Sequence, residues 1–434
     1  MLIILCCMSW MILFGCGSRE TAVDNKVTIT FWHSFVASTV PALEQLIDKF
    51  EAQYPQIKIK AQYIPTGDAL IQKLITAVQS QTAPDISWIH SDYLQDLIEA
   101  DAIYKMEDFI RGENGLSEED LSDIYPALIQ YASWRGTLYS IPMEATNLAL
   151  MYNKRMFREA GLDPERPPEN WQQLHEYAKK LTIDKDGDGK NEQIGFLLPI
   201  FPATGPLGSW MVWQWYPYLW QVGGYFVDLE QTKVLYDSEA GIAALTLWQN
   251  IFRDLELSKY SMDYDVAFAS ERLAMAMDGP WNLPRYSTLL KNLEWAFAPL
   301  PEGPVKRATI VGGEYLTIFK QSKHPQEAWQ FLKWLTEPEV QAFWSMKSGY
   351  LPTRHAVMEV PEFKKYLEDH PNFSVFVNQM EVGQAIRPVD YNGLKISRHL
   401  AEAIERATVG NVDPRESLSA SAKLSNQLLQ TSGK

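Results

Sequence analysis

The sequence predicts an α/β protein built as two large lobes, and three observations carry that expectation. The chain has 434 residues, too long for one ordinary domain and suited to two. Its hydrophobic fraction of 46% supplies substantial cores. From residue 27 onward, segments of period two alternate with segments at helical spacing. That is the rhythm of a parallel sheet covered on both faces.

Taken in order, VTITFWHSF (27–35) alternates Val27, Ile29 and Phe31 and reads as a strand. Residues 40–53 place Val40, Leu43, Leu46, Ile47 and Phe50 at helical spacing. IKIKAQYI (57–64) alternates again, and Leu70, Leu74, Ile75 and Val78 mark a second helix. DISWI (85–89) is a third strand and YLQDLIEA a third helix. Ligands of such sheets bind beyond the carboxyl ends of the strands, which here carry Trp32–His33, Pro65–Asp68 and His90–Asp92. In the second half the helices lengthen. Asn170 caps WQQLHEYAKKL with Gln173 closing a capping box, and Ser238 caps EAGIAALTLWQNIFRDL. Asp413-Pro414-Arg415-Glu416 opens the last helix with Pro at its first position. There is no short-period repeat and no low-complexity linker, so the chain crosses between lobes at ordinary strand ends.

A net charge of −15 excludes wrapping nucleic acid or docking on an anionic membrane through a basic patch. The 15 Trp and 20 Tyr stand out, because such rings make flat amphipathic contacts. The three cysteines, Cys6, Cys7 and Cys16, all fall in the first sixteen residues, so no disulfide staples the fold. MLIILCCMSWMILF carries no charge and suits a signal-peptide core. LFGC then ends at Cys16 before a polar tether, 17–26. This resembles the bacterial lipoprotein signal, whose Cys becomes lipidated, although Phe14 is large and no Lys or Arg precedes the apolar run. A plain secretory signal is the alternative.

IDKDGDGKNEQIGF (183–196) spaces Asp184, Asp186 and Asp188 two apart, with Gly187 and Gly189 between and after them. A calcium loop takes oxygens from positions 1, 3, 5, 7 and 9, with Gly at 6 and an acid at 12. Asp184, Asp186, Asp188, the Lys190 carbonyl and Glu192 fill the first five, and Gly189 is at 6, but position 12 is Gly195. The reading is a structural Ca²⁺ site, with a metal-free acidic turn held by Asx hydrogen bonds as the alternative. Oxygen ligands without His or Cys argue against catalytic zinc. No G-x-S-x-G, P-loop, H-E-x-x-H or G-x-G-x-x-G occurs, so no enzyme is expected. Trp platforms with paired carboxylates also serve secreted glycoside hydrolases, which keeps that class open.

Five stretches follow one another in a fixed order: PDISWIHSDYLQDLIEADAIYKM, GTLYSIPMEATNLALMYNKRMFREAGL, LAMAMDGPWNL, IVGGEYLTIF and HPQEAWQFLKWLTEPEVQAFW…GYLPTR. In this order they resemble the extracellular solute-binding proteins of bacterial ABC importers, in the sugar-binding branch that includes maltose-binding protein. The resemblance covers nearly the whole mature chain. It implies the two-lobe periplasmic-binding-protein fold, with hinge crossings and a ligand cleft between the lobes. Carried over, the crossings fall near Pro142–Glu144, Asp278–Trp281 and residues 318–322. One lobe comprises 27–142 plus 280–320 and the other 145–278 plus 323–434. The implied function is capture of a sugar or oligosaccharide outside the cytoplasm and delivery to ABC permease subunits, by a monomer held at the membrane through its lipid anchor.

Asp, Glu and Asn bind sugar hydroxyls, and Trp and Tyr pack on the ring face. Glu144, in PMEATNLALMYN, is implied to touch sugar at the hinge, with a strut between lobes as the alternative. Asp92 follows a strand where the family places ligand-binding polar groups, and it can also cap the helix after it. Trp281 matches a Gly-Pro-Trp beside the second crossing. Within SWMVWQWYPYLWQVGG, Trp220 is the preferred platform, ahead of Trp213 and Trp215. Trp32 ends the first strand, and His33 beside it is read as structural. Gly313 and Glu314 follow Gly312, where backbone N–H groups can approach a ligand or the chain can make a tight crossing turn. AGLDPERPPENWQQLHEYAKKL and GYLP look like a related branch that binds glycerol-3-phosphate. A phosphate asks for an Arg fork. Ser397 stands where that Arg aligns most simply, with Arg398 adjacent and Arg387 nearby.

Overall fold

The structure, a computed structural model, describes residues 26–431 apart from 66, 91–93, 206, 229, 261–262 and 387–391. The signal-like segment with Cys16, Asp92 and Arg387 lie outside the described residues. Among the described residues no helix is long and apolar enough to cross a membrane.

The first three strands form where the alternation places them, as β1 (Val27–His33), β2 (Ile57–Tyr63) and β3 (Ile86–Ile89). β1 runs parallel to β2 from Val27 opposite Ile57 to His33 opposite Tyr63. It also runs parallel to β3, with Phe31 opposite Ile86. Ile29, Phe31 and His33 point inward together, as a period of two requires. The intervening helices are Val40–Gln53 and Gly67–Gln79. The former buries Leu43, Leu46, Ile47 and Phe50, the stripe its spacing predicts.

A small hairpin, β4 (Ser133–Trp134) with β5 (Thr137–Leu138), precedes β6 (Ile141–Pro142), β7 (Thr146–Asn147) and β8 (Ala149–Asn153). The later strands are β9 (Met275–Asp278), β10 (Trp295–Ala298), β11 (Thr309–Gly312), β12 (Tyr315–Ile318) and β13 (Gly383–Gln384). They assemble into a five-stranded sheet of order β2-β1-β3-β12-β6 and two three-stranded sheets, β10-β8-β9 and β13-β11-β7. β12 is antiparallel to both β3 and β6, so the late strand closes the early sheet.

This topology corrects the lobe boundaries. The crossing near Pro142–Glu144 joins β6 in the first lobe to β7 in the second. A second crossing, Gly313–Glu314, joins β11 to β12, ahead of the predicted 318–322. After Asp278 the chain does not leave the second lobe, because β10 pairs antiparallel with β8 from Trp295 opposite Asn153 to Ala298 opposite Leu150. The stretch 280–308 therefore belongs there and not to the first lobe. Conversely, the helix Pro325–Trp334 packs on β1 and β12, and Pro338–Ser348 on Val40–Gln53, so both belong to the first lobe. Phe331 shows why: its ring sits 4.8 Å from Phe50 and 6.2 Å from Phe31. By the helix Pro371–Gln379, which packs on β10 and β7, the chain has returned to the second lobe.

The largest aromatic helix of the second lobe, Gly208–Gln221, lies on β11 and on the helix Gly393–Thr408. It buries most of its circumference, including Trp215, Tyr218 and Leu219. A helix that is apolar nearly all round belongs in an interior.

Candidate functional site: the hinge floor and the acidic loop

The crossings at 142–144 and 313–314 touch each other, and the chain near Leu351, on its way back to the second lobe, joins them. The Met143 N–H donates to the Glu314 carbonyl at 3.0 Å, and Ala145 and Leu351 exchange backbone bonds at 2.8 and 2.7 Å. Gly313 lies so close that a Cβ built on it would stand 2.1 Å from the Glu144 carbonyl oxygen. The crossing is tight at Gly313, and glycine is there because nothing larger fits.

Glu144 is completely buried. The Trp344 indole N–H donates to its Oε2, while its Oε1 has no hydrogen-bond partner. The Glu314 carboxyl lies within hydrogen-bonding reach. Two carboxylates offer no donor to each other, so that contact becomes a hydrogen bond only when one of them is protonated. Burial, and then the charge of Glu314, pushes the Glu144 carboxyl well above the usual carboxylate range. Glu314 is the more open partner, its side chain 13% exposed, with the His90 Nε2 3.9 Å from its Oε1. Around the pair stand Phe35, Trp88, Trp344 and Tyr350. Phe35 is 5.3 Å from Trp344 and 6.4 Å from Trp88, and Tyr350 stacks on Trp344 at 6.4 Å. Glu314 and Glu144 both act on the buried Tyr350 hydroxyl, whose pKa burial already raises far above its ordinary value.

The second lobe gathers three tryptophans beside the end of β11, just ahead of the Gly313–Glu314 crossing. Trp210 and Trp213 stack at 4.9 Å with planes 11° apart, and Trp281 meets Trp210 edge-on at 5.7 Å. All three are half-buried. Trp213 rests on β11, its Cζ2 3.2 Å from where a Cβ of Gly312 would stand, one residue before Gly313. Trp281 folds back over Gly279, where any Cβ would enter its ring at 1.8 Å. Asp278 ties that turn at both ends. Its Oδ1 accepts from the Gly279 N–H at 2.8 Å, and both its oxygens accept from Asn282 Nδ2 at 3.1 and 3.0 Å. Burial raises the Asp278 carboxyl to about 6, against the hydrogen bonds from Tyr286, Gly279 and Asn282.

The other candidate residues fall elsewhere. Trp220 is in the core, stacked on Tyr216 at 5.4 Å, and Trp215 is fully buried. The half-exposed rings of that helix are instead Trp210 and Trp213, one to three turns earlier. Trp32 turns toward the helix Gly67–Gln79, where Lys73 Nζ sits 3.8 Å over its ring. His33 is buried among Phe31, Phe35 and Tyr63, and burial lowers its pKa to about 4. Sequence reasoning did not single out Trp344 or Tyr350. The only signal for them was the FW…GYLP spacing inside the fifth stretch.

Away from the hinge, Asp184, Asp186, Asp188 and Glu192 gather their carboxylates within 4.8 Å of one another, all exposed. Asp184 accepts from the Gly187 and Gly189 N–H groups at 2.7 and 2.9 Å, Asp188 from that of Lys190 at 2.8 Å, and Glu192 from that of Lys185 at 2.6 Å. Gly187 and Gly189 take positive φ, 76° and 85°, as the turn demands. Lys190 sends its ammonium back to Asp188 at 3.8 Å. Gly195 cannot be exchanged for the missing acid, because a Cβ there would stand 1.9 Å from the Ala178 carbonyl. The donor set suits a hard cation of modest affinity, with all ligands oxygen and one bidentate acid short.

Two α/β lobes meeting over a floor of paired acids and aromatic rings define a two-lobe ligand-binding protein. Comparison with known proteins gives the family. The model of the bacterial extracellular solute-binding protein family matches residues 45–371. The sn-glycerol-3-phosphate-binding periplasmic protein UgpB of Escherichia coli K12 is 25% identical over 421 residues, 93% of this chain and 92% of its own. The cyclic alpha-maltosyl-1,6-maltose binding protein of Arthrobacter globiformis superposes with a TM-score of 0.81 at 26% identity, over 94% of this chain and 100% of its own. UgpB of Mycobacterium tuberculosis, solved with glycerophosphocholine, superposes at 0.78 with 21% identity, over 94% and 99%, and shows the fold alone. The chain belongs to the bacterial extracellular solute-binding protein family, a family of binding proteins.

Proposed function

We propose that this protein captures a neutral sugar or oligosaccharide outside the cytoplasm and delivers it, unchanged, to the permease subunits of an ABC transporter. The observation that carries this reading is a cluster of three half-buried tryptophans, Trp210, Trp213 and Trp281, resting at Gly312 on β11, two residues along the chain from Glu314 of the acidic hinge floor. Ring faces of a sugar pack on the indoles, and hydroxyls donate to the carboxylate. A stacked ring contributes about 1 kcal/mol from its buried area, and a hydroxyl bonded to a carboxylate about 1.5–3 kcal/mol. The structural likeness to a protein named for a cyclic maltosyl-maltose supports the same ligand class.

A second reading, capture of a polyol phosphate, draws on the relatives named for sn-glycerol-3-phosphate. Arg398, which it would enlist, is exposed on the helix Gly393–Thr408. In this proposal Cys16 carries the lipid anchor, the protein works as a monomer, and the 184–192 loop holds a structural Ca²⁺.

Calorimetry with maltose, maltotetraose, a cyclic tetrasaccharide and sn-glycerol-3-phosphate tests the ligand class. Saturable binding of one of the sugars, with the sugar recovered intact, is expected. Cleavage over many turnovers, or binding confined to the phosphate, overturns the proposal. Membrane release of the Cys16→Ala variant in its native host tests the anchor, and unchanged association removes it.

A further inference from the structure

We propose that Glu314 and Glu144 act as one acid pair holding a single shared proton, and that Glu314, the member open to the cleft, makes the site accept hydroxylated neutral ligands and reject phosphorylated ones. The inference rests on the sugar-binding reading and names the residue that sets ligand charge. Its ground is the way the two crossings are built. Met143 N–H to Glu314 carbonyl, and Gly313 seated on the Glu144 carbonyl, fix the two backbones together. The carboxyls cannot separate unless the hinge itself moves. Glu144 has one donor, Trp344, on Oε2, and its Oε1 and the Glu314 Oε2 are buried without a partner.

Two full charges sharing one indole donor in a dry pocket are costly. One proton on Glu144 removes a charge and supplies the donor that joins the two carboxyls. Glu144 is its natural holder, since it has no contact with water and burial already favours its neutral form. Glu314 is the member that reaches solvent and stands beside His90. The groups that face the pair from other elements are His90 at the end of β3, Trp344 and Tyr350 from the segment after 338, and Tyr315 at the start of β12. Tyr131 packs behind Tyr315 at 6.2 Å. Tyr350 and Tyr315 are held neutral by burial. The floor thus offers one anionic acceptor. Sugar hydroxyls donate to it, whereas a phosphate would meet like charge.

Infrared difference spectroscopy of the ligand-free protein at neutral pH reads the proton directly. A protonated carboxyl band is expected in the parent and is expected to vanish in Glu144→Gln. Its absence from the parent, or its survival in the variant, overturns the shared proton. Calorimetry with maltotetraose and sn-glycerol-3-phosphate reads selectivity. Glu314→Gln, partly exposed and nearly isosteric, is expected to weaken the sugar about tenfold and to narrow the gap between the two probes. Tight binding of the phosphate by the parent, or unchanged affinities in Glu314→Gln, overturns the selectivity role. If no sugar binds the parent at all, the sugar-binding reading falls, while the infrared band still decides the proton.

Discussion

At the hinge, Glu144 is sealed from water and meets Glu314 at the edge of solvent; in the 184–192 loop, four carboxylates meet where water is everywhere. The loop settles its charge with backbone amides. Asp184 alone accepts from two glycine N–H groups, and these hold its carboxyl below the usual range, Gly189 contributing most. At the hinge the Met143 and Ala145 N–H groups go to the Glu314 and Leu351 carbonyls and not to a carboxylate. One indole is left for two acids, and the pair answers by favouring a proton. Clustered acid therefore means different chemistry at the two places. Burial and the supply of donors decide whether such a cluster favours a proton or keeps its charge on backbone amides.

The sharpest way to break this comparison is steric. Gly313→Val would drive a branched side chain into the Glu144 carbonyl, where a Cβ alone already stands at 2.1 Å. Destabilisation of about 3 kcal/mol is expected, read from the urea midpoint. Gly187→Ala meets open space and pays only for its φ of 76°, about 1 kcal/mol. Equal costs would mean that the crossings are as pliable as the loop.

Next in size is the loss of the indole donor. Trp344→Phe keeps the stack on Tyr350 but removes the indole donor from the buried Glu144 Oε2, at a cost of about 2 kcal/mol. The pH profile sharpens the same point. The folded Glu144 carboxyl lies above its unfolded value of 4.5. Its contribution is fully present below that value and is lost as pH rises through the raised one. Asp278 acts in the same direction between 3.8 and about 6. Asp184 has the opposite sign: its contribution is present above 3.8 and is lost as pH falls. Denaturation across this range should show Glu144→Gln flattening the decline toward neutral pH and Asp184→Asn flattening the acid limb. If Glu144→Gln leaves the slope intact, the hinge acid is not the titrating group.

Local pattern made much of this legible. β1, β2 and β3, the helix stripe of Leu43, Leu46 and Phe50, and the Asn170 cap on the Gln173 N–H at 3.0 Å all follow from spacing. The position of Glu144 at a crossing came instead from the family resemblance of PMEATNLALMYN. Partners far along the chain were not legible. Trp344 lies 200 positions from Glu144, and β10 finds β8 across an intervening 140-odd residues that periodicity does not connect. Trp220 illustrates a third limit. A helix apolar on nearly every side carries no period that tells core from cleft, so its open rings, Trp210 and Trp213, emerge only once β11 and the helix Gly393–Thr408 have covered the rest.

A smaller effect separates platform from core in that same helix. Trp213→Ala should weaken maltotetraose, or whichever sugar the calorimetry identifies, by about 1 kcal/mol, with a smaller loss of stability than a fully buried ring because Trp213 is only partly buried. Trp215→Ala should instead cost about 3–5 kcal/mol of stability, since that ring is fully buried. Reversed outcomes would return the platform to the other face.

The smallest expected effect is at the loop, and it tests the opening contrast from its other side. In chelator, Asp186→Ala removes an exposed carboxylate whose one intraloop bond, from the Asp188 N–H, is 3.1 Å long, so stability should move by less than about 0.5 kcal/mol. Calcium should stabilise the parent, since an ion that binds only the folded loop adds about 1 kcal/mol when present several-fold above its Kd. The missing acid at position 12 keeps that Kd weak, and the packing of Gly195 against Ala178 prevents the sequence from supplying it. Asp186→Ala should abolish the calcium-dependent rise in melting temperature while leaving sugar affinity unchanged. A parent indifferent to calcium would leave the loop as an acidic turn satisfied by its own amides. A variant that loses sugar binding instead would place the cation in the cleft, where the hinge acids would then have to share it.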